Sequence, residues 1–486
     1  MRRLIFRIIA LIVFLTLPEA VLSVSVLPTG KAEYEFIYDR LERTDALSRD
    51  RFVFHLGPYR TSDERFDLGP FEDLRFIPSR NVELFSFVGE DFRAAREASA
   101  QGFESYRGGL AAAPINKLFI YGNFVLDERR AEDPTYAGKK WRGLAGEVEE
   151  AFGYYETGPF SLTVGRFSSF WGPRSSLVLS SRQAFDGFGY GFRWGRLVLS
   201  YRLARLDGQN PDQDTTVQFE NRYFAGHRLD FIFADWLQAG LFETVIFGGP
   251  GRQVDLFYLN PIIFFHAEQL NEGMNDNTFL GFDFSLKPRY GVKLYGQLVV
   301  DDFQVEHKNQ GDQEPDQLGL LAGLYLADIA PSLDFKTEYS RVDNWTFNQP
   351  YDRNRYLYRG QPIGGALGND YDLYRASVIR WFSDELAASV NFLYTRQGEG
   401  SITDDWTTPW LLVTGDYNEP FPTGVVRKTT TAAVGAKGFV FDHFFFDVDV
   451  GVDWVRNFAH QDGDNRTLPF INLKVSSFVS TSLAVD

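Results

Sequence analysis

The chain has 486 residues, a formal charge of −16, 16% aromatic residues (47 Phe and 23 Tyr among them) and no cysteine. Zero cysteines exclude disulfides, thiol catalysis and Cys-ligated metals together. The acidic balance, −18 once residues 1–23 with their three Arg and one Glu are removed, argues against nucleic acid as a partner. An acidic soluble β-protein and a lipid-embedded barrel with aromatic girdles share this composition, so strand topology has to separate them.

At the N-terminus, Arg2, Arg3 and Arg7 accompany an apolar run from Leu4 to Leu17, and Val21 and Ser23 supply small-residue positions. This predicts a secretory signal over residues 1–23, cleaved after Ser23. The run is short of the roughly 20 apolar residues that a membrane anchor needs, and no Cys follows it to carry a lipid. No later window is apolar enough for a membrane helix, so a membrane location requires strands. Residues 24–79 differ from the rest: Tyr34, Ile37, Tyr38 and Leu41 fall at i, i+3, i+4, i+7, one face of an amphipathic helix. A less regular segment follows (Arg51–Leu56, then Phe71–Phe76) with breaks at Gly57-Pro58 and Gly69-Pro70. The expectation is a small helical periplasmic element that docks on or plugs a barrel; the alternative is a flexible lead-in.

Residues 80–486 read as that barrel. In Gly187–Arg205, Phe188, Tyr190, Phe192 and Trp194 alternate with Gly187, Gly189, Gly191 and Arg193; past Gly195, Leu197, Leu199, Tyr201 and Leu203 alternate with Arg196, Val198, Ser200 and Arg202. A period of two over both halves is a β-hairpin with one apolar face. Short connections are expected at Ala113–Asn116, Gly158-Pro159, Gly195, Ala234–Trp236, Pro288-Arg289, Asp328–Pro331, Ser383-Asp384 and Asp442, and long ones near 89–101, 128–146, 168–186, 206–220, 248–277, 302–315, 342–370, 396–428 and 457–466. Such alternation predicts an all-β transmembrane antiparallel β-barrel of about 18 strands; weak patterning at 81–88 and 102–111 leaves 16 as the alternative count. The strands near Val292–Asp301, Leu333–Ser340 and Phe444–Trp454 set several charges opposite an apolar face, which suits a hydrated or ion-paired lumen and not a dry core. The last strand, near Leu468–Val479, does not end the chain on an aromatic residue, so an aromatic assembly signal would be set back at Phe478.

GRFSSFWGPRSSLVLSS from Gly165 and FYLNPIIFFHAEQLNEGMNDNTFLGFDFSLKPRYGVKLYGQLVVDDFQ from Phe257 together resemble the Wzi family of capsule-assembly outer-membrane proteins. The resemblance lies in the Gly-Arg, Trp-Gly-Pro and Leu-Ser positions of the first stretch, in Asn260-Pro261 and Asp276-Asn277, and in Leu294-Tyr295-Gly296 leading into Asp301-Asp302-Phe303. The opening EYEFIYDRLER is similar as well. The resemblance implies an 18-stranded barrel whose periplasmic mouth is stopped by an N-terminal helical bundle, and a lectin-like role at the outer leaflet.

Two groups are candidates for polysaccharide binding. Arg166, Trp171 and Arg174 flank the Trp-Gly-Pro turn, with Arg193, Arg202 and Arg228 on neighbouring inner faces; a basic lumen wall would meet the carboxylates of an acidic polysaccharide. The alternative is internal pairing with Asp230, Asp301 and Asp302. The long loops add Trp345, Tyr356, Trp406 and Trp410, beside Tyr351, Tyr358 and Tyr417, among Asp and Asn. These aromatic faces suit sugar rings; equally, they would pack the loops into a lid.

Catalysis has thin support. His55, His227, His266, His307, His443 and His460 lie in no HExxH arrangement, and there is no GxSxG elbow. Asp301-Asp302 and Asp404-Asp405 are adjacent, so on strands they would face opposite ways. Gly187, Gly189 and Gly191 lie within a strand, where no phosphate cradle forms, and Asp462–Asn465 reads as a solvated acidic turn. The expectation is therefore a non-enzymatic outer-membrane barrel, monomeric, without cofactor or metal, with outer-membrane lipid and an acidic surface polysaccharide as partners. The alternatives are a diffusion porin and an outer-membrane hydrolase.

Overall fold

A computed structural model describes residues 26–27, 29–48, 56–57, 81–95, 98–133, 136, 138–208, 220–302, 313–441 and 443–484. The expected signal over 1–23, most of the second N-terminal segment, the turn at Asp442, and His55 and His307 lie outside these residues.

Eighteen antiparallel strands close into one barrel. They are β1 Asn81–Ala95, β2 Ala98–Ile115, β3 Leu118–Asp127, β4 Leu144–Thr157, β5 Phe160–Ser168, β6 Ala184–Trp194, β7 Leu197–Arg205, β8 Glu220–Ala234 and β9 Leu237–Pro250. The second half is β10 Asn277–Arg289, β11 Val292–Asp302, β12 Gln317–Ala330, β13 Leu333–Val342, β14 Tyr371–Ser383, β15 Leu386–Gln397, β16 Arg427–Val440, β17 Phe444–Arg456 and β18 Arg466–Ala484. Pairing of β1 with β18, from Asn81 opposite Ala484 to Ala95 opposite Phe470, closes the ring and leaves no edge. No described helix is long and apolar enough to cross a membrane; the strands form the wall.

Alternation sets the two faces. In the β6–β7 hairpin Phe192 stands opposite Leu199 and Tyr190 opposite Tyr201 on the outer face, while Gly189 stands opposite Arg202 on the inner. In β17, Phe444, Val450 and Trp454 are exposed outside, and Phe445 is buried inside. The first long connection, expected over 89–101, is instead mostly strand: β1 runs to Ala95 and β2 resumes at Ala98, with Asp91 opposite Phe103 and Arg93 opposite Gln101. Asp91, Arg93 and Gln101, which resembled loop residues, lie on the inner faces of two long strands of 15 and 18 residues, with Glu90 on the outer face. The last strand likewise spans 19 residues and reaches Ala484. Phe478 points inward and packs on Phe87, ring centroids 4.8 Å apart.

Helix α1, Ala32–Ala46, lies inside the barrel at the short-turn end. Glu33 and Glu35 favour its first turn, and Gly30 N donates to Glu35 Oε1 at 2.8 Å. The predicted face is buried: Tyr34, Ile37, Tyr38 and Leu41, together with Phe36, have almost no exposed surface. Phe36 meets Trp381, Phe439 and Phe445 at 5.6, 6.0 and 6.2 Å. Around the apolar stripe, Arg43 reaches Asp328 and Asp334, Arg40 reaches Asp384, and Gly291 N donates to Ala46 O; Asp328, Asp384 and Gly291 belong to the short turns. Two further helices lie in connections between strands: α2, Glu128–Glu132, after β3, and α3, Phe265–Glu272, between β9 and β10.

Residues 169–183 fold inward, not outward. Leu177 N donates to Gln297 Oε1 at 2.7 Å, and Gln297 Nε2 donates to Trp171 O at 3.2 Å. From above, the 343–370 connection closes on it: Tyr356 Oη donates to Val178 O at 2.8 Å, and Ser180 N to Ile363 O at 3.3 Å. From below, Arg174 pairs with Glu35 and Asp39 of α1. The lumen beside β6–β13 is thus filled from plug to rim. A Cβ on Gly364 would overlap the carbonyl of Leu177. Gly364→Val is expected to destabilise the barrel by ~1–3 kcal/mol, as overpacking does, read as a lowered denaturation midpoint in detergent; an unchanged midpoint would mean that the two segments part without cost.

Candidate functional site

Three of the loop tryptophans meet. Trp345 lies T-shaped to Trp406 at 5.2 Å and to Trp410 at 5.6 Å, and Trp406 is 6.2 Å from Trp410. Trp345 sits at φ +68°, a strained conformation for a bulky residue. Glu419 holds it there: Oε1 accepts from Trp345 Nε1 at 2.8 Å, Asn344 Nδ2 at 3.1 Å and Tyr417 Oη at 3.1 Å. Burial, and then the Glu419 carboxylate, push the Tyr417 phenol up to about 12. Trp345 and Trp410 are buried, whereas Trp406 keeps a partly exposed face. The cluster therefore packs the loops together and leaves the Trp406 indole partly open to solvent.

The other seven expected residues separate. Tyr356 is fully buried under the cluster, stacked on Phe347 at 5.1 Å. Trp171 is buried in the inserted segment, and Gly226 opposite leaves room for its ring. Arg174 is the tie to α1. Arg166 is held two-pronged by Asp186 at 2.9 and 2.6 Å. Arg193 sits beside the Gly195 turn, its N–H donating to Pro159 O at 2.8 Å. Arg202 is buried over the Phe167 ring, 3.3 Å from its centroid, and donates to the carbonyls of Phe167 and Phe185. Arg228 has no exposed surface; it chelates Asp230 and Asp283. The internal-pairing alternative thus describes Arg228 with Asp230, while Asp301 does something else, accepting Phe347 N at 2.6 Å.

A second feature was not singled out in the sequence. Above α1, on the side the inserted segment leaves open, β1, β2, β17, β18 and Arg129 of α2 line a half-open pocket of about 590 Å³. Asp91, Arg93, Gln101, Phe103, Arg129, Asp447, Asp449, Asn472 and Lys474 line it. Arg129 lies over the Phe103 ring at 5.1 Å and pairs with Asp91 at 3.2 Å. The Arg129 guanidinium thus covers the Phe103 ring, and the remaining lining alternates donors with acceptors. Inner-face parity of β1 and β18 is the signal that locates these residues, and the polar composition of 89–101, which reads as a loop, masks it. Among the described residues, no three His, Asp or Glu side chains gather as metal ligands.

A closed barrel of this strand number, with an internal helix and loops folded over the mouth, narrows the class, and the sequence profile decides it. The profile of the family described as "Capsule assembly protein Wzi" matches residues 79–469. The chain belongs to the Wzi capsule-assembly family. It is an outer-membrane β-barrel. Among solved structures it is similar to Escherichia coli Wzi, described as an outer-membrane protein involved in group 1 capsule assembly and a carbohydrate-binding β-barrel. The two share 15% identity over 94% of this chain and 100% of that one, with a TM-score of 0.62. Pseudomonas aeruginosa OprD (11% identity, 83% of this chain and 96% of that one, TM-score 0.46) is a more distant barrel. P. aeruginosa OpdK with vanillate is another (12%, 82% and 99%, TM-score 0.49). No curated protein sequence matches the chain. In this Wzi-family member the Trp-Gly-Pro stretch that bears the resemblance is the segment folded into the lumen, so its residues tie plug to loops.

Proposed function

We propose that the protein is a non-catalytic lectin of the outer membrane that holds an acidic surface polysaccharide at its outer mouth, as a monomer. Export depends on residues 1–23, residues 24–79 form the plug unit and 80–486 the barrel. The observation that carries this reading is the Trp345–Trp406–Trp410 cluster braced on Glu419 above a filled lumen. Braced aromatic planes favour holding a glycan, and a filled lumen disfavours passing a solute. In this reading Trp406 presents the stacking face and Trp345 and Trp410 fix it. Preference for acidic chains rests on the cavity, where a glycan carboxylate would take the place of Asp91 on Arg129 and Lys474. Arg166, Arg174, Arg193, Arg202 and Arg228, with Trp171 and Tyr356, then act by shaping the wall and loops that carry these surfaces.

The test is binding of the detergent-purified barrel to acidic and neutral bacterial exopolysaccharides. Trp406→Ala is expected to weaken binding about two- to tenfold, since a lost aromatic stack is worth ~0.5–1.5 kcal/mol. Acidic chains are expected to bind better at low salt than at high. Absence of saturable binding to any glycan, joined by steady conductance in planar bilayers, would remove the lectin reading and leave a porin.

A further inference from the structure

The connection between β9 and β10 does not stand over the barrel mouth. It folds down against the outside of the wall. Strand parity shows this: Phe224, Arg228 and Phe242 face the lumen, so Tyr223, His227, Glu243, Val245 and Phe247 face outward. Val245 and Phe247 nonetheless have no exposed surface. What covers them is the segment itself, with Tyr258 and Phe265 packed on Tyr201, Leu203, Tyr223, Val245 and Phe247. Tyr201 Oη donates to Tyr258 O at 2.8 Å. Arg252 bridges Asp255 and Asp276, closing the base of the strap.

The strap also resolves a charge that would be out of place on a lipid-facing wall. Glu243 points outward, yet its carboxylate is buried because both oxygens accept from the N-terminus of α3: Phe265 N and His266 N, each at 2.7 Å. His227 approaches the same carboxylate at 3.3 Å. Six residues beyond Leu237, at about 3.3 Å per residue on a strand tilted by about 40°, put Glu243 on the order of 15 Å above the short-turn end. The apolar band of such barrels is roughly 25 Å tall, so the strap lies at the height of its outer half.

Its far side exposes four large apolar side chains, with Gln253, Asn260, His266, Asn271, Glu272 and Asn275 exposed around them. Leu256, Ile262, Phe264 and Leu270 are exposed by 80, 87, 49 and 63%. They continue the outward band formed by Phe192, Leu241, Leu280 and Phe282 on the neighbouring strands. We infer that residues 251–276 form an in-plane membrane strap whose exposed apolar side chains sit among the acyl chains of the outer leaflet, so that the barrel's lipid contact on this flank is made by the loop and not by the strands. The continuity of this face with the strand-borne apolar band, and the burial of Glu243 behind it, select lipid as the occupant. The inference does not depend on glycan binding.

The chain has no cysteine, so single cysteines report cleanly. Ile262→Cys and Leu256→Cys, each labelled with bimane in the full-length protein, are reconstituted in phosphatidylcholine vesicles with acyl chains brominated or not. Phe192→Cys on the wall and Tyr351→Cys on an outer loop are the references. The expected result is that bromolipid quenches both strap positions as strongly as Phe192, and that aqueous iodide quenches only Tyr351. Iodide quenching of the strap without bromolipid quenching would overturn the inference. Shielding from both quenchers would overturn it too, and would assign the face to a second protein chain. Each side chain is largely exposed, so neither substitution disturbs packing.

Discussion

Arg228→Met is expected to be the most damaging single substitution in the wall, costing about 3–5 kcal/mol of stability. The guanidinium, without exposed surface, donates through Nε and Nη2 to Asp230 at 2.9 and 2.6 Å, and through Nη1 and Nη2 to Asp283 at 2.5 and 2.7 Å. Gln238 Nε2 adds a donor to Asp230 at 3.2 Å. Methionine fills similar space but leaves two enclosed carboxylates facing each other, with most of their hydrogen bonds gone. Gly240, opposite Asp230, deepens the commitment, because a Cβ there would overlap the Arg228 guanidinium, so this part of the wall is shaped around arginine. The measurement is equilibrium unfolding in detergent with heat-modifiable gel mobility as a second reading. Adding Asp230→Asn and Asp283→Asn to the variant should recover much of the loss, since the penalty comes from unpaired charge and not from missing volume. A single variant within about 1 kcal/mol of the native protein would show that the triad is solvated, and the description of this sector as filled from plug to rim would fail.

That triad also marks where sequence reading stops. Period-two alternation is a property of the strand itself, so the barrel, its strand number and the face of each residue in β6, β7, β11, β13 and β17 were legible. Pairing across the lumen is not a local property. Asp230 was foreseen as a partner of Arg228, but Asp283 comes from two strands away, and Arg174 finds its acids on α1, some 135 residues earlier in the chain. The same limit hid the cavity: Asp91 and Arg93 look like loop residues until β18 is placed beside β1. It hid the strap as well, because the apolar run Phe257–Phe265 reads the same whether it covers a core or lies in lipid. Trp345, Trp406 and Trp410 could be singled out because clustered aromatics in polar loops stand out by composition, while Glu419, which braces Trp345, does not.

Charge reversal on α1 is expected to unplug the barrel. Asp39 receives Arg174 and Lys437 at 2.6 and 2.5 Å, and Glu42 receives Lys336 at 2.8 Å with Lys293 nearby at 3.8 Å. Asp39→Lys with Glu42→Lys would set new cations against these four, while the apolar stripe through Phe36 and Ile37 stays intact. Full-length native protein is expected to be silent in planar bilayers and the double variant to show steady conductance through the polar side of the lumen, where Lys437 stands opposite Asp447. Silence of the variant would mean that the apolar stripe alone retains the helix. Acid should loosen the native plug by the same route. Burial opposes ionisation of both carboxyls, but Lys437, Arg174 and Lys336 hold Asp39 well below the usual carboxylate range, and Lys336 and Lys293 hold Glu42 down. A carboxylate with a depressed folded-state pKa contributes docking stability that is complete above its undocked value, 3.8 for Asp39 and 4.5 for Glu42, and is lost as pH falls below it. The native barrel should therefore remain closed from neutrality to about pH 5 and begin to open only below about pH 4. Openings that first appear near pH 6 would point to histidine and not to this ring of acids.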